Sequence, residues 1–343
     1  GNGFDVSVLN RYQCGRMKGK TTRYDDFFDY ITYHKLSDES NVLYKKMKDD
    51  REIPGKNNWS DFENSIAELY ENGLATPQKL EQCIDEFQNY FTRFLNEVVD
   101  TETLLALNED AKEKKLAIQS LGHFLGDLHI PSVKLSSNAD HYDLFYFVFA
   151  NFNYTALLDN YLYLDKNQFD PHFWPYADRN FQFYLDQVLY TGTSYSSYVL
   201  SEVIHPHGIQ DAPRSILFGI DLPEYSRGRS SEKRLVKSYW AQYDAKYKSY
   251  FDEAELFIIY GMSMGKTDGW WMDKIFDAII LRDADLIIYK YGTDKEDFVK
   301  DQFLLACTRH ISASDTDKEK VKKNIVVVTF EENNTYFLGL EKK

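Results

Sequence analysis

The chain has 343 residues, which is long enough for one large domain or two ordinary ones with a substantial core. Hydrophobic residues make up 43% of it and aromatic residues 16%, a composition that excludes an intrinsically disordered protein. The formal net charge of −14 provides no long-range attraction for a phosphate backbone, so we do not expect general nucleic-acid binding.

The cysteines and the hydropathy pattern narrow the class of protein further. Cys14, Cys83 and Cys307 are far apart and lack Cys-x-x-Cys spacing, which argues against a disulfide framework and against a thiolate zinc site. The longest uncharged run near the middle of the chain, 144–158, is fifteen residues long and too short to cross a bilayer. Because the sequence also has no signal peptide, we expect a cytoplasmic protein that does not interact with membranes.

The chain opens with Gly1, Asn2, Gly3, Phe4 and Asp5, a pattern typical of a phosphate-facing turn between a first strand and its helix. The two glycines allow close approach of the backbone, and amides at the start of a following helix attract a pyrophosphate. A simple turn is the alternative. No strand precedes this turn in the sequence, so we expect either residues upstream of it or a sheet without the strand that normally presents such a loop.

Residues 20–135 show a helical period. In the stretch that follows Thr76, apolar residues recur at steps of three and four, and Pro77 is a favourable first helical residue. Ser60 and Glu63 have the spacing of a capping box, which predicts a helix that begins after Ser60 and makes Glu63 part of its cap.

From about residue 142 onward, short apolar runs alternate with helical patterns. Several runs are apolar at consecutive positions, as expected for strands that are covered on both faces. One of the following helices is predicted to begin at a cap formed by Thr293 and Glu296. The order predicts a parallel, doubly wound α/β sheet. The runs are DLFYFVFANFNY, SEVIHPHG, SILFGI, LFIIYGMS, DLIIYKYG and NIVVVTF.

Three later loops carry polar residues where strands of such a sheet end, which is where ligands bind in open α/β sheets. The first is NFNYT, 151–155, which follows a wholly apolar run. Buried amides need hydrogen-bond partners, so its asparagines either cap the next helix or hold a ribose hydroxyl or a water. The last is YGMSMGKTD, 260–268, in which Gly261, Ser263 and Asp268 suit a ribose or phosphate, with a simple turn as the alternative.

The second loop, HPHG, places His205 and His207 two residues apart. In an extended segment such residues face the same way and are able to bind one metal ion, but no further ligand cluster stands at a suitable spacing. Structural histidines are a second interpretation. We favour a third one, in which His207, beside the flexible Gly208, acts as a general base near neutral pH. No metal is expected.

Together, these loops and three further motifs resemble the AbiH family of bacterial abortive-infection proteins, which defend against phage. The family in turn resembles, more distantly, the sirtuin-like NAD-binding fold. The resemblance covers nearly the whole chain in family order, through GNGFD (1–5), TTRYDDF (21–27), WSDFE (59–63), NFNYT (151–155), HPHG (205–208), FGID (218–221) and YGMSMGKTD (260–268).

The sirtuin-like resemblance implies a mostly parallel Rossmann-like sheet and a role for each loop. Asn153 takes the place of the asparagine in that fold, His207 that of the histidine, and Gly261 and Ser263 that of the nucleotide loop. Thr155 stands where the sirtuin-like motif usually has aspartate, and no zinc-binding cysteine pairs are present. These departures argue against an ordinary protein deacylase.

The resemblance also implies a division of the chain into two parts. Residues 1–19 and 136–343 form a discontinuous Rossmann-like nucleotide-binding domain. Residues 20–135 form a helical insertion, which we interpret as a lid or a partner surface. Its aromatic residues are also a plausible face for homo-oligomerisation.

The leading hypothesis is an antiphage protein that binds NAD or a related nucleotide and hydrolyses its N-glycosidic bond. Asn153 would orient a water or the ribose, and His207 would accept a proton from a ribose hydroxyl. The backbone of 1–5 would hold the pyrophosphate and 261–268 the second ribose. Tyr154 and Gly208, next to the two catalytic candidates, complete the predicted cofactor-binding set.

Two alternatives stay open. One is a binding module that senses a nucleotide or a phage-derived trigger without catalysis. The other is a metal-dependent nuclease or phosphoesterase that uses His205 and His207.

Overall fold

The computed structural model describes residues 2–128, 144–172, 175, 180–185, 188–189, 198–220, 233, 235–265, 268–331 and 334–341. Over these residues the protein is a mixture of helices and strands with small parallel sheets. Within the same ranges, none of the helices combines the length and the apolar character needed to span a bilayer.

The first third of the described chain is helical. An aromatic cluster holds these helices together: the ring of Phe27 meets the rings of Phe87 and Phe91 edge to face, and Phe62 meets Phe87 in the same way. All four rings are buried, so their packing contributes beyond the apolar area that it removes from water. The helices are Gly3–Tyr12, Tyr24–Tyr33, Val42–Arg51, Phe62–Glu71, Pro77–Val98, Thr101–Lys114 and Leu116–His123, followed by a 3₁₀ turn at Phe124–Asp127.

The predicted helix starts are confirmed in one case and wrong in two. Thr76 caps the long helix Pro77–Val98 by accepting a hydrogen bond from the amide of Lys79. The predicted cap at Ser60 is wrong, because the neighbouring carboxylate of Asp61 accepts from the amide of Asn64 and the helix begins one residue later. Glu63 therefore does not form the predicted capping box with Ser60.

The second wrong prediction is the cap at Thr293. The helix Glu296–Ala306 begins with Lys295 in the capping position, and no side chain caps it. Two acidic residues in its first turn, Glu296 and Asp297, complement the positive end of the helix dipole instead.

The described strands form two parallel sheets and one small hairpin. β1 pairs with β4 in parallel, with Phe149 opposite Val203. β5, β6 and β7 form a parallel sheet in that order, and β2 pairs with β3 antiparallel. The strands are β1 Leu144–Ala150, β2 Tyr184–Leu185, β3 Val188–Leu189, β4 Tyr198–Ile204, β5 Leu256–Tyr260, β6 Asp285–Tyr291 and β7 Ile325–Phe330.

The prediction of a strand at SILFGI is wrong. Only Ile220 takes part in a bridge, with Val236, and the residues before it follow a 3₁₀ turn at Pro213–Ser215. The run is apolar because it packs on the helical part: Phe218 lies edge to face against Phe62. The apolar run therefore indicates that the segment is buried and does not indicate strand pairing.

Both faces of the β5–β7 sheet are covered. Along β6, successive residues contribute to two different core clusters, Leu286 and Ile288 to one and Ile287 and Tyr289 to the other. This alternation is what a parallel sheet with covering layers on both sides requires. The covering and connecting helices are Leu157–Leu162, Lys166–Phe169, Lys237–Ala241, Tyr243–Lys246, Lys248–Glu253, Gly269–Arg282, Glu296–Ala306 and Asp315–Lys323.

The helix Gly3–Tyr12 begins where β1 and β5 end. Gly3 lies against Gly261, the residue after β5, so closely that a β-carbon on Gly3 would stand 3.2 Å from the Cα of Gly261. Asp5, in the first turn of the same helix, is hydrogen-bonded to Asn153, which follows β1. The carboxyl ends of the two strands therefore lie at the same edge, which positions the candidate site.

Candidate functional site

The four loops singled out in the sequence meet at this edge. GNGFD contacts the loop after β5 through Gly3 and Gly261, and it contacts the loop after β1 through Asp5 and Asn153. The loop after β4 joins them, because the amide of Gln210 donates to the carbonyl of Tyr154 over 2.7 Å. Gly261 has a φ of +62°, a conformation that suits glycine, and this allows the close approach to Gly3.

One group of polar residues surrounds Asp5 and is called the Asp5 cluster here: Asp5, Asn153, Thr155 and Thr22. The Asn153 amide and the Thr155 hydroxyl each donate to the carboxylate of Asp5 over 2.8 Å, and the Thr22 hydroxyl donates over 3.4 Å. Burial raises the pKa of Asp5 to about 6, although the hydrogen bonds from Thr155 and Asn153 act in the opposite direction. Asp5 therefore anchors Asn153 rather than facing a ligand.

A second group, called the Lys237 network, consists of Glu63, Lys237, Asp268 and His207. The ammonium of Lys237 lies 2.8 Å from one oxygen of Glu63 and 3.6 Å from the carboxylate of Asp268. Burial alone would lower the pKa of Lys237, but Asp268 and then Glu63 outweigh it, and the pKa is raised. Lys237 is therefore a permanent buried cation between two carboxylates, although only 1% of its side chain is exposed.

The two carboxyl groups of the network differ in charge state. Burial raises the pKa of Glu63 to about 7, with Lys237 opposing it. Burial also acts to raise the pKa of Asp268, but the charge of Lys237 and then the contact with His207 outweigh it and lower the pKa. Asp268 is thus ionised at neutral pH, whereas burial favours the protonated form of Glu63 relative to an ordinary glutamate.

His207 stands at the inner end of this network. Its Nε2 lies 3.3 Å from a carboxylate oxygen of Asp268, but the two groups are not aligned as a hydrogen bond, and neither atom has a hydrogen-bond partner among the described residues. The ring packs edge to face on Phe152 at 5.0 Å. Burial, followed by the charge of Lys237, lowers the pKa of His207, so the imidazole is neutral at physiological pH.

The remaining predicted binding residues divide into exposed and structural ones. Asn2 and Ser263 are exposed at the edge, and Gly1 lies outside the described residues. Phe4 is buried with its ring against Tyr161, so it belongs to the core.

Tyr154 and Gly208 support the site from within. Tyr154 is buried and directs its hydroxyl to the carbonyl of Leu217. Gly208 has a φ of +89°, and a β-carbon there would come within 2.1 Å of the carbonyl oxygen of Ser215. Glycine is therefore required at this position by the fold of the loop.

The two histidines of HPHG do not share a partner. β4 ends at Ile204, so both histidines follow the strand and the same-face geometry expected for an extended segment does not apply. His205 pairs with Asp159 at 3.0 Å, whereas His207 faces Asp268. No group of three or more His, Cys, Asp or Glu side chains suitable for a metal ion occurs in the described ranges.

Three residues of the site were not assigned to it from the sequence. Glu63 was interpreted as a helix cap although it lies in the WSDFE motif, and Lys237 follows an apolar pair in a segment without a motif. Asn151 organises the loop after β1: its side chain accepts from the amide of Asn153 over 3.0 Å. The only signal for Lys237 is a lysine directly after two apolar residues, which also fits an ordinary amphipathic helix.

The site combines solvent-accessible polar residues, called the mouth here, with a buried charged network. The mouth consists of Asn2 and Ser263, which are exposed, and Asn153 and Asp268, which are partly exposed, whereas the other members of the Lys237 network are buried. Because Asp268 and Lys237 are charged and His207 is neutral, the net charge of the network depends on Glu63. When Glu63 is ionised, the network has a net negative charge and favours a positive charge placed at the mouth.

Comparison with protein families identifies the chain. The family model described as bacteriophage abortive infection AbiH matches residues 1–290. Comparisons with curated proteins and with solved structures give no match. The matched range covers most of the chain and contains all four loops of the site, and the protein therefore belongs to the AbiH family of bacteriophage abortive-infection proteins.

Proposed function

We propose that this abortive-infection protein binds NAD or a related nucleotide at the carboxyl edge of β1 and β5 and hydrolyses its N-glycosidic bond. The observation that carries the proposal is the meeting of the four loops, through the Gly3–Gly261 contact, the Asp5–Asn153 bond and the His207–Asp268 contact. In the same proposal, the two parallel sheets are parts of one doubly wound, sirtuin-like fold, and residues 20–135 are its helical insertion.

The binding step uses the start of the helix Gly3–Tyr12. Free amides at a helix start and the partial positive charge of the helix dipole attract phosphate groups. Gly3 and Gly261 present bare backbone there, which lets a pyrophosphate approach closely. Ser263 is exposed on the adjacent loop, and in this proposal its hydroxyl bonds a ribose.

The chemical step passes through an oxocarbenium-like state on the ribose. The bond between the ribose carbon and the nicotinamide nitrogen breaks, nicotinamide leaves as a neutral molecule, and a water oxygen bonds to the carbon. The ionised carboxylate of Asp268 stabilises the positive charge that develops on the sugar. Asn153, held by Asp5, orients the water or the ribose.

The proton released in this step needs an acceptor. His207 is neutral, and its Nε2 has no aligned hydrogen-bond partner among the described residues. In this proposal a ribose hydroxyl gives its proton to Nε2 and takes up the proton that the attacking water releases. Such proton transfer is typically worth about 10²–10⁴-fold in rate. In the cytoplasm of an infected cell, the resulting loss of NAD would stop growth before phage release.

The test measures nicotinamide release from NAD by the purified protein. We expect release that is indifferent to chelator and falls by about 10²-fold or more in Asn153→Ala and His207→Ala. His205→Ala is the matched control, because His205 pairs with Asp159 away from the mouth and its loss leaves the rate unchanged. Release that persists in both site variants, or a protein that neither binds nor cleaves NAD, would overturn the proposal.

One observation favours a second function, nucleotide sensing without turnover. Only 2% of His207 is exposed, and Asn153 already uses its amide to hold Asp5. A sensing module would bind NAD in calorimetry with no nicotinamide release, and Asn153→Ala would weaken that binding. A phage-derived trigger would then act on the bound form.

A further inference from the structure

Two groups that can carry positive charge converge on one oxygen of Asp268. The Nε2 of His207 lies 3.3 Å from Oδ1 of this carboxylate, and the Nζ of Lys237 lies 3.6 Å from the same atom. Oδ1 is itself buried, so the 17% of the side chain that is exposed lies on its other atoms. The ammonium and the imidazole therefore share the inner oxygen, whereas the exposed part of Asp268 belongs to the mouth.

The ammonium of Lys237 is held by Glu63. Its Nζ lies 2.8 Å from Oε1 of that carboxylate and 2.9 Å from Oε2. The backbone amide of Gly219 donates to Oε1 over 3.4 Å, and the hydroxyl of Tyr24 donates to Oε2 over 3.4 Å. Both oxygens of Glu63 are thus bound by groups from several elements, which fixes the carboxylate and, with it, the position of the ammonium.

The backbone of Lys237 is fixed as well. Its amide donates to the carbonyl of Ile220 over 2.9 Å, next to the bridge between Ile220 and Val236. A β-carbon on Gly219 would stand 3.4 Å from Cγ of Lys237, so the aliphatic part of the lysine packs along this glycine. With both ends held and 1% of the side chain exposed, the ammonium is confined to the space between the two carboxylates.

The charge of Lys237 opposes an ion pair between Asp268 and His207. A carboxylate beside an imidazole favours the protonated ring, and a cation on the same carboxylate acts in the opposite direction. After burial, the charge of Lys237 is the largest influence that lowers the pKa of His207, and it exceeds that of Asp268, which raises it. Asp61 and Tyr154 also interact electrostatically with Lys237. The ammonium and the imidazole therefore compete for the charge of Asp268, and the ammonium prevails.

We propose that Lys237 is a positioning residue, whose ammonium occupies Oδ1 of Asp268 and so prevents that carboxylate from forming an ion pair with His207. The imidazole is thereby kept free to accept a proton, and the exposed part of Asp268 stays available to a positive charge on the substrate. Glu63 contributes by holding the ammonium, and it brings the helix Phe62–Glu71 into the site. The importance for catalysis rests on the proposed function, whereas the competition between the side chains does not.

The test is a histidine-selective NMR titration of the full chain, in which the His207 signals are identified by their loss in His207→Gln. Lys237→Met removes the charge and keeps a side chain of similar length. We expect the pKa of His207 to rise above its ordinary value of 6.5 in this variant, because Asp268 is then unopposed. Adding Asp268→Asn should return the pKa to 6.5 or below. Loosening of the structure alone relieves the effect of burial and brings the pKa no higher than 6.5.

Lys46→Met is the matched control. Lys46 also lies between two carboxylates, 2.6 Å from the buried Asp50 and 2.9 Å from Glu68, but neither of these carboxylates belongs to the site. Loss of Lys46 therefore disturbs an ion pair of the same kind within the helical part of the chain. It should leave the pKa of His207 unchanged.

The same variants test the role of Lys237 in the proposed hydrolysis. Because His207 must be neutral to accept a proton, its raised pKa should move the acid limb of kcat/KM for nicotinamide release to higher pH. We expect release by Lys237→Met to fall by at least about tenfold at pH 6 and by less at pH 8, after correction for the folded fraction. A purely structural role would lower the rate by the same factor at both pH values.

The double variant Glu63→Gln/Lys237→Met covers the case in which the single variant does not fold, because it also removes the charge of the carboxylate that loses its cation. The pKa of His207 should rise above 6.5 here too. A value at or below 6.5 without Lys237, or an equal rise in Lys46→Met, would show that Lys237 does not compete for Asp268. A parent protein that releases no nicotinamide contradicts the proposed hydrolysis alone, because the titration of His207 is read without NAD.

Discussion

The Asp5 cluster and the Lys237 network are two largely buried polar groups near the carboxyl ends of β1, β4 and β5, yet their carboxylates behave in opposite ways. The hydrogen bonds to Asp5 come from neutral side chains, and burial raises its pKa to about 6. Asp268 is close to a buried ammonium and an imidazole, and its pKa is lowered. Hydrogen bonds from Asn153 and Thr155 only reduce the penalty of burial, whereas a buried cation reverses it.

Because of this difference, we expect the two groups to have different roles. The Asp5 cluster connects the first helix to the loop after β1 and positions Asn153. The Lys237 network holds an ionised carboxylate beside a neutral imidazole, which is the pairing of groups that acid–base chemistry requires. We expect the Asp5 cluster to determine how stability depends on pH, and the Lys237 network to affect both stability and activity.

The largest effect is expected from Lys237→Met. The change leaves Glu63 and Asp268 buried without their cation, and removal of one partner from a buried ion pair costs about 3–5 kcal/mol. Urea unfolding at neutral pH measures it. Lys246→Met, on an exposed surface, is the control and should stay within about 0.5 kcal/mol of the parent. A loss below about 1 kcal/mol in Lys237→Met would show that the network is not held by its cation.

A pH effect of similar size is expected from Asp5. Its pKa is about 6 when folded and 3.8 in its ordinary state, so the folded protein binds more protons in between. This contribution to stability is present below pH 3.8 and is lost as the pH rises through 6, by about 3 kcal/mol. Between pH 4 and 7 the parent should therefore lose about this much stability relative to Asp5→Asn, as measured by their unfolding free energies.

His207 makes the comparison between parent and variant necessary. Its pKa is lowered in the folded state, so its contribution is present above its ordinary pKa of 6.5 and is lost as the pH falls. The slope of the parent alone mixes this with the opposite slope from Asp5, whereas the difference between parent and Asp5→Asn isolates Asp5. Glu71→Gln removes an exposed carboxyl group and should give a flat difference. A flat difference for Asp5→Asn would contradict the assignment.

The sequence predicted the strands better than the site. Consecutive apolar residues identified β1 and β5–β7, because strands covered on both faces have no polar positions to interrupt the run. The same signal failed at SILFGI, where burial comes from packing of Phe218 on the helices. A run of apolar residues indicates that a segment is buried but does not indicate which element packs against it.

Within the site, the sequence identified the loops but not which side chains contact one another. Asn153 and His207 were expected to point at one substrate, and their immediate partners are Asp5 and Asp268. Glu63 and Lys237 are 174 positions apart, and no local spacing rule relates residues at that distance. Only the fold determines which charges become neighbours.

The smallest effect, and the sharpest test of the Asp5 cluster, comes from two threonines. Thr155 and Thr22 are both buried and donate to the same oxygen of Asp5, over 2.8 Å and 3.4 Å. Thr155→Val removes the shorter bond and should cost about 1.5–3 kcal/mol at pH 8, where Asp5 is ionised. The cost should shrink at pH 5, because a protonated carboxyl needs fewer donors.

Thr22→Val is the matched control with the same change of shape. Its bond is longer and weaker, so its cost should be about 1 kcal/mol or less and should depend less on pH. Urea unfolding of both variants at the two pH values measures the contrast. Equal costs for the two threonines would mean that the valines act through packing alone, and the ionised state of Asp5 would then not be what orders the loop that carries Asn153.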